Sequence, residues 1–279
     1  MREINALDIE KAVYDLALRA NVFIDKKTLK KIENAYLNEN GTAKEILSQI
    51  IENNQLAIKE NIPICQDTGI AVIFLEIGQD LHINGNLYDA INNGVKNAYV
   101  NGYFRKSVVL DPINRINSND NTPAIIHTKI VTGDKIKITF TPKGAGSENM
   151  SKIKMLTPSD GIKGIKDFVI NTIKEAGGKP CPPLIVGVGI GGNFEKCAIL
   201  AKEAILRDLD DSHENNHIAL LENELLTEIN KLNIGPMGLK GNTTALAVKI
   251  NTYPCHIASL PVAVNIQCHA SRHEVIILW

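Results

Sequence analysis

The sequence lacks three features, and each absence excludes a class of protein. It has no CxxC pair, since its five cysteines are 116, 16, 58 and 13 positions apart. Structural zinc usually takes closely spaced ligand pairs and is not expected. It has no excess of either charge, with a net charge of −1, which argues against a nucleic-acid or anionic-membrane partner. It also has no apolar run near the ~18 residues of a membrane helix.

The remaining composition is that of an ordinary globular protein. The chain has 279 residues, of which 44% are hydrophobic and 22% charged, so we expect a substantial core. An odd number of cysteines does not suit a secreted disulfide framework, and reduced thiols are the better interpretation. The N-terminus is polar and does not resemble a leader peptide. We therefore expect a soluble, cytoplasmic protein.

Apolar spacing predicts an α+β protein that forms a single domain over residues 1–279, with a helical N-terminal lobe over about residues 1–60. A capping box at Thr42 predicts the start of the third helix of that lobe. The turn residues 132–134 predict a hairpin between two strands. Further helices are predicted over 87–105, 167–175, 194–209 and 218–232. Strands are predicted over 71–77, 125–131, 135–141 and 184–189, and a pair over 244–250 and 257–266.

Three cysteines lie in segments where a loop or tight turn is predicted. Cys65 precedes a Gln-Asp-Thr-Gly run, Cys181 lies between prolines, and Cys268 precedes His-Ala. Three thiolates can hold a cubane iron–sulfur cluster and leave one iron open as a Lewis acid. Free cysteines are also common as small buried hydrophobes, so the count alone leaves both interpretations open. Cys197 lies among apolar residues of a predicted helix and is interpreted as core, and Cys255 stays ambiguous.

A glycine-rich run at residues 187–192 matches G-x-G-x-x-G, follows a predicted strand and precedes a helix. A dinucleotide site would also need an acidic residue at the end of the next strand, about 20 positions on. Asp208, Asp210 and Asp211 are at that distance, but they lie between two predicted helices. We therefore interpret the glycines as close packing of a strand on a helix.

Six motifs in the same order resemble the α subunit of the class I, iron–sulfur fumarate hydratase and L-tartrate dehydratase family. The resemblance runs from about Ala12 to the C-terminus. Any one motif is weak alone, whereas six in register are specific. They are CQDTG at 65–69, FRKSV at 104–108, PKGAGSEN at 142–149, PCPP at 180–183, PCHIASLP at 254–261 and QCHA at 267–270.

The resemblance implies a 4Fe–4S cluster on Cys65, Cys181 and Cys268, with one open iron. It also implies that Asp67 transfers a proton beside that iron, where a carboxylate near a cation is well suited to the task. An Asp at this place also commonly caps the following turn, which is its structural alternative.

Four further residues are implied to bind the substrate, a small dicarboxylate: Gln66, Arg105, Gly146 and His256. An arginine can bind a carboxylate through two parallel N–H donors. Arg105 also ends a predicted helix, where the helix dipole stabilises a positive charge, and this is its structural alternative. Gly146 lies in a Gly-Ala-Gly loop whose amides can converge on an anion, or which is only a flexible turn. His256 begins a predicted strand and is otherwise an ordinary core histidine.

The resemblance further implies reversible hydration of fumarate to L-malate. Single-chain members continue into a further domain, whereas this sequence stops eleven residues after Cys268. We therefore expect a separate β subunit that completes the site, in a dimer of αβ pairs. L-tartrate dehydration is the alternative within the family, and mesaconate is a further possible substrate. The alternative of another class is a non-catalytic metal-binding scaffold.

Overall fold

The computed structural model describes residues 2–278. Its contacts group into two compact units. Within the described range, unit 1 comprises residues 2–24, 54–145 and 272–278, and unit 2 comprises residues 25–53 and 146–271. Helices account for 43% and strands for 26% of the chain, which confirms the predicted α+β class. The prediction of a single domain stays a prediction.

The N-terminal segment is helical, as predicted. Its helices are α1 (Ala6–Val22), α2 (Lys26–Asn38) and α3 (Gly41–Glu60). Asn5 caps α1 through its side chain, which accepts a hydrogen bond from the N–H of Leu7 at 2.9 Å. Helix α3 begins at Gly41, one residue before the predicted Thr42 start. The boundary between the two units falls inside α3, between residues 53 and 54.

Unit 1 is built on a four-stranded sheet with the order β12-β7-β2-β6. Helices α1 and α4 pack together, and their apolar faces form one core with this sheet. Its elements are β1 (Arg2–Asn5), β2 (Ile70–Gly78), β3 (Leu81–Asn84), α4 (Leu87–Asn101), β4 (Val109–Asp111), β5 (Ile116–Asn117), β6 (Ile125–Val131), β7 (Ile136–Lys143) and β12 (Glu274–Leu278).

The predicted hairpin between β6 and β7 is wrong. Strand β2 lies between them, parallel to β6 and antiparallel to β7. The turn itself is present, but it closes on the segment after β2, where the N–H of Asp80 donates to the carbonyl of Gly133 at 2.9 Å. Alternation of side chains identified the strands correctly but did not specify their neighbours.

Unit 2 is built on a second four-stranded sheet, with the order β10-β9-β11-β8. Residues 186, 188 and 190 of β9 belong to the core that α6 and α8 form with the sheet, whereas residue 185 belongs to a separate apolar cluster with residues 205 and 209. Helix α7 packs on β9. The elements are α5 (Ala145–Glu148), whose first residue belongs to unit 1, β8 (Lys152–Leu156), α6 (Gly161–Ala176), β9 (Leu184–Gly191), α7 (Phe194–Ala204), α8 (Asn216–Lys231), β10 (Ala245–Tyr253) and β11 (Leu260–Gln267).

Two further predictions in this part of the chain need correction. Strands β10 and β11 are not paired with each other, because β9 lies between them, parallel to β10 and antiparallel to β11. Helix α7 ends at residue 204, five positions earlier than expected. The predicted end of α6 is confirmed, since Gly177 follows it with a φ of 56°. No helix within residues 2–278 is long and apolar enough to span a membrane.

Candidate active site

The segment that contains Cys65, Gln66 and Asp67 connects α3 to β2 in unit 1. The N–H of Ile64 donates to the carbonyl of Asn21 on α1 at 2.9 Å. Cys65 is half-buried with a free thiol, and Gln66 is exposed. The segment is thus fixed at its N-terminal end while it presents one thiol and one amide side chain.

Both carboxylate oxygens of Asp67 accept hydrogen bonds from backbone amides. Oδ1 accepts from the N–H of Gly69 at 3.0 Å, and Oδ2 accepts from the N–H of Ala145 at 2.9 Å. The first of these bonds is the turn-capping role given above as the structural alternative. Each oxygen keeps a second lone pair. The carboxylate is therefore held in one orientation and can still accept a further hydrogen bond or a proton.

The carbonyl groups of the same segment are held by buried side chains. Arg272 Nη2 donates to the Asp67 carbonyl at 2.9 Å, and Tyr99 Oη donates to the Thr68 carbonyl at 2.6 Å. Asn121 Nδ2 donates to the Gly69 carbonyl at 3.1 Å. Burial raises the pKa of the Tyr99 hydroxyl, so it stays protonated and remains a donor. Three consecutive carbonyl groups of the segment are therefore held by hydrogen bonds from buried side chains.

Arg105 does not end a helix, which corrects the structural alternative given for it. Helix α4 ends at Asn101, and Arg105 follows in an irregular segment with its side chain exposed. Its backbone carbonyl accepts a hydrogen bond from Thr68 Oγ1 at 3.1 Å. This bond attaches the Arg105 backbone to the Asp67 segment. Because Arg105 is not at the end of a helix, stabilisation by a helix dipole does not account for an arginine at this position.

The Gly-Ala-Gly loop is shorter than predicted. Strand β7 runs through Lys143, which is buried, and residues 145–148 form a single helical turn. Gly146 belongs to unit 2 and is exposed. A Cβ added there would meet only the Lys179 carbonyl, at 3.6 Å. The role of Gly146 in substrate binding stays a prediction.

Cys181 and Cys268 lie in two loops of unit 2 that are hydrogen-bonded to each other. Cys181 precedes β9 with a φ of 55°, and Cys268 directly follows β11. The N–H of His269 donates to the Cys181 carbonyl at 3.3 Å. Neither residue forms a disulfide, and both are half-buried. This bond joins the two cysteine loops within one unit.

His256 lies in an exposed turn between β10 and β11, and β11 begins only at Leu260, so His256 does not begin a strand. Its Nδ1 accepts a hydrogen bond from the N–H of Ala258 at 3.1 Å. A neutral imidazole that accepts at Nδ1 carries its proton on Nε2. His256 is therefore oriented as an Nε2–H donor, and its exposure excludes the core-histidine alternative.

The candidate residues are divided between the units. Those of unit 1 are Cys65, Gln66, Asp67 and Arg105, and those of unit 2 are Gly146, Cys181, His256 and Cys268. Over the described range, 2–278, no group of three or more His, Cys, Asp or Glu side chains is arranged to hold a metal ion. The chemistry of the donors fits a cluster, since the three predicted ligands are half-buried cysteines on loops and form no disulfide.

The other two cysteines have different surroundings. Cys197 is buried in α7, where it packs with Ala201 and Ala263, and its thiol donates to the Phe194 carbonyl. This placement agrees with the core interpretation. Cys255 is exposed and its thiol donates to the Ser259 carbonyl at 3.3 Å.

The glycine-rich run is a packing feature. A Cβ added at Gly187 or Gly189 would collide with backbone carbonyls of α7, those of Ala201 and Cys197. Asp208, Asp210 and Asp211 lie between α7 and α8, and the next strand, β10, begins only at Ala245. In this described part of the chain, no strand therefore ends at the distance that a dinucleotide site would need, as predicted. The first turn of α7 is capped by the Asn193 side chain, which accepts from the N–H of Lys196. The glycines thus bring the helix onto the strand, as predicted.

Sequence reasoning missed Arg272, Tyr99 and Asn121, the three side chains that hold the Asp67 segment. Arg272 follows Cys268 by only four positions, and an arginine so close to a candidate ligand was a usable signal. Tyr99 and Asn121 carried no signal, because their role depends on contacts across 31 and 52 positions.

A fixed carboxylate two residues from a free thiol, in an α+β protein with two further loop thiols, is the kind of site found in a hydro-lyase. Comparison with known proteins agrees, since a family profile described as fumarate hydratase (Fumerase) matches residues 10–277. The chain belongs to this family and is a hydro-lyase.

Named relatives cover nearly the whole chain. A putative L(+)-tartrate dehydratase subunit alpha of Methanocaldococcus jannaschii is 44% identical over 277 residues, covering 96% of this chain and 97% of the relative. The L(+)-tartrate dehydratase subunit alpha of Escherichia coli K12 is 33% identical over 259 residues, covering 91% and 84% respectively. The corresponding subunit of E. coli O157:H7 is 32% identical over the same length.

Proposed function

We propose that this chain is the α subunit of an iron–sulfur hydro-lyase that hydrates fumarate reversibly to L-malate, with a separate β subunit completing the active site. The observation that carries the proposal is the fixed carboxylate of Asp67 next to the free thiol of Cys65. The family membership and the subunit names of the relatives support it. We also propose that the protein acts in the cytoplasm.

The proposed cluster is 4Fe–4S, held by the thiolates of Cys65, Cys181 and Cys268. When bound, it supplies a Lewis acid at the iron that has no protein ligand. Three observations support this ligand set: the cysteines form no disulfide, they are half-buried, and the loops of Cys181 and Cys268 are hydrogen-bonded to each other. Cys197 is excluded by its burial in the core of unit 2.

Asp67 is proposed to transfer the proton between substrate carbon and solvent. Its two amide donors hold the carboxylate still, so little reorganisation is needed when the proton moves. Gln66 is exposed beside it and can donate to a substrate carboxylate. A second acid or base is expected on the β subunit.

The dicarboxylate is proposed to be held by Arg105, Gly146 and His256 together with Gln66. Arg105 offers an exposed fork of N–H donors, and His256 offers its Nε2–H. A dicarboxylate needs two clamps, and Arg105 is the only guanidinium among these four residues. The second clamp is therefore assigned to the β subunit, in a proposed dimer of αβ pairs.

L-tartrate dehydration is the second candidate, because it is the activity in the names of the relatives. The two substrates differ in hydroxyl groups, and a site built to hydrogen-bond a hydroxyl discriminates strongly against an analogue that lacks it. The residues that would make that contact are expected partly on the β subunit. A non-catalytic scaffold is disfavoured by the family membership.

The test is a steady-state comparison on the αβ complex, prepared without oxygen with a candidate β subunit. Fumarate, L-tartrate and mesaconate are compared by kcat/KM. The proposal expects fumarate to exceed L-tartrate by at least about 100-fold, the discrimination that a pocket without a hydrogen-bond partner gives against an added hydroxyl. A preference for L-tartrate would replace the proposed substrate, and iron-free protein with full activity would reject the cluster.

A further inference from the structure

Arg272 is a buried cation without a carboxylate partner. Its side chain is 2% exposed. Among residues 2–278, no aspartate or glutamate forms an ion pair with it. A buried charge is costly to fold around unless it is paired or hydrogen-bonded. The other buried cation with a described partner, Lys249, pairs with Asp211 at 2.7 Å.

The hydrogen bonds of Arg272 reach both sides of Cys65 and Gln66. Nη2 donates to the Asp67 carbonyl at 2.9 Å, and Nη1 donates to Asn21 Oδ1 at 3.4 Å. The Asn21 carbonyl in turn accepts from the N–H of Ile64. One guanidinium therefore holds Asp67 directly and Ile64 through Asn21.

Arg272 is itself fixed in place. Its backbone carbonyl accepts a hydrogen bond from Thr141 Oγ1 of β7 at 2.8 Å. The same strand leads to Ala145, whose N–H holds the Asp67 carboxylate. The backbone carbonyl and the side chain of Asp67 are thus both anchored on the β7 side of unit 1.

We infer that Arg272 is a positioning residue that fixes the segment 64–67 and supplies a fixed positive charge to it. A planar guanidinium donates in two directions at once, which an ammonium on a flexible stem does not reproduce. A fixed cation also favours the binding of an anion nearby. The catalytic consequence rests on the proposed function, whereas the effect on the segment does not.

The first test is hydrogen–deuterium exchange on the metal-free, full-length chain, with variants Arg272→Met and Arg272→Lys. Arg272→Met is expected to raise amide exchange over residues 62–70 and 143–145 at least about tenfold, with smaller changes elsewhere. Arg272→Lys keeps the charge and is expected to restore part of the protection. The matched control Lys249→Met removes a buried cation from unit 2 and leaves exchange in 62–70 unchanged.

If Arg272→Met does not fold, Asn21→Ala gives a second measurement. It removes one acceptor and leaves the guanidinium, so it is expected to loosen residues 62–67 alone. The inference would be overturned if Arg272→Lys and Asn21→Ala both exchanged over residues 62–67 at the wild-type rate. A rise in exchange that is equal in the two units, in either of these variants, would also overturn it.

The second test is steady-state kinetics of the cluster-loaded αβ complex with fumarate. Arg272→Met is expected to lower kcat on the order of 100-fold with a smaller change in KM. The reason is that a misplaced Asp67 would destabilise the transition state more than the bound substrate. Wild-type protein without hydro-lyase activity would reject the proposed function and leave the exchange result standing. Active wild type with full kcat in Arg272→Met would reject the inference alone.

Discussion

The backbone N–H of Ala145 donates a 2.9 Å hydrogen bond to Oδ2 of Asp67, across 78 positions of sequence. This bond orients the carboxylate from outside its own loop. Asp67 therefore has a structural and a proposed chemical role at once, and the two can be separated by substitution.

Asp67→Asn keeps the shape of the side chain and one acceptor oxygen. We expect the free energy of unfolding to fall by about 1–3 kcal/mol, because one amide donor now faces an NH₂ group. Hydration of fumarate is expected to fall by about 10²–10⁴, the usual contribution of a general acid or base. Urea denaturation and kcat measure the two effects, and iron content should match wild type.

Asp120→Asn is the matched control for that substitution. Asp120 Oδ1 also accepts two hydrogen bonds, both from Thr122, at 3.0 and 2.7 Å. Both bonds go to one oxygen, which asparagine keeps, so we expect a loss of stability of about 1 kcal/mol or less and unchanged kcat. Equal loss of kcat in both variants would contradict a chemical role for Asp67.

Iron and sulfide content can distinguish the proposed ligand cysteines from the core cysteine. Cys181→Ser is expected to abolish most of the bound iron in oxygen-free preparations, because a cluster needs all three thiolates. Cys197→Ala should keep the iron and lose about 1 kcal/mol of stability through a small cavity. Iron and sulfide are quantified per chain in both variants. Equal loss in the two would reject the ligand assignment.

Gly69→Ala tests how closely the Asp67 segment approaches β7. Gly69 has a φ of 69°, and an added Cβ would lie 2.7 Å from the backbone nitrogen of Lys143. Gly133 also has a positive φ, of 114°, but has nothing within 4 Å of an added Cβ. Gly69→Ala is therefore expected to lose about 1–3 kcal/mol more stability than Gly133→Ala, from overpacking alone. Urea denaturation of both variants provides the comparison, and equal losses would argue against the close approach.

Asp211 gives unit 2 a pH-dependent contribution to stability. Burial by itself raises the pKa of its carboxyl, but hydrogen bonds from Arg207 and Lys249 outweigh this and leave the pKa lowered. A carboxyl whose pKa is lower in the folded state stabilises the fold above its unfolded pKa of about 3.9, and this contribution is lost as the pH falls through the folded value. The difference in unfolding free energy between wild type and Asp211→Asn should therefore be constant near pH 6–7 and shrink below about pH 4. A difference that grows on acidification would contradict this.

Local patterns in the sequence predicted elements well and neighbours poorly. The helices of the N-terminal segment and the strand β9 follow from apolar spacing and glycine placement, which are local. The order of strands around β2 does not, because β6 and β7 carry the same alternation whether they pair with each other or with a third strand. Strand β12 was missed, since it pairs with β7 more than 130 positions earlier.

The site shows the same division. Motifs led to the proposed ligand Cys65 and the proposed proton-transfer group Asp67, because residue type and spacing are visible in the sequence. They did not identify Arg272, whose burial depends on acceptors supplied by Asn21 and Asp67 after the chain has folded. Residues proposed to do chemistry were thus selected by type, whereas residues that hold them in place required the fold.

The contact between β9 and α7 limits how this enzyme can be re-engineered. At Gly187 and Gly189 even a methyl group would strike the backbone of the helix. In a mutant library aimed at new substrates, members that vary this strand would fail to fold before any selection for activity. Diversity is better placed in the exposed turn around His256, where side chains can change without displacing a neighbouring backbone.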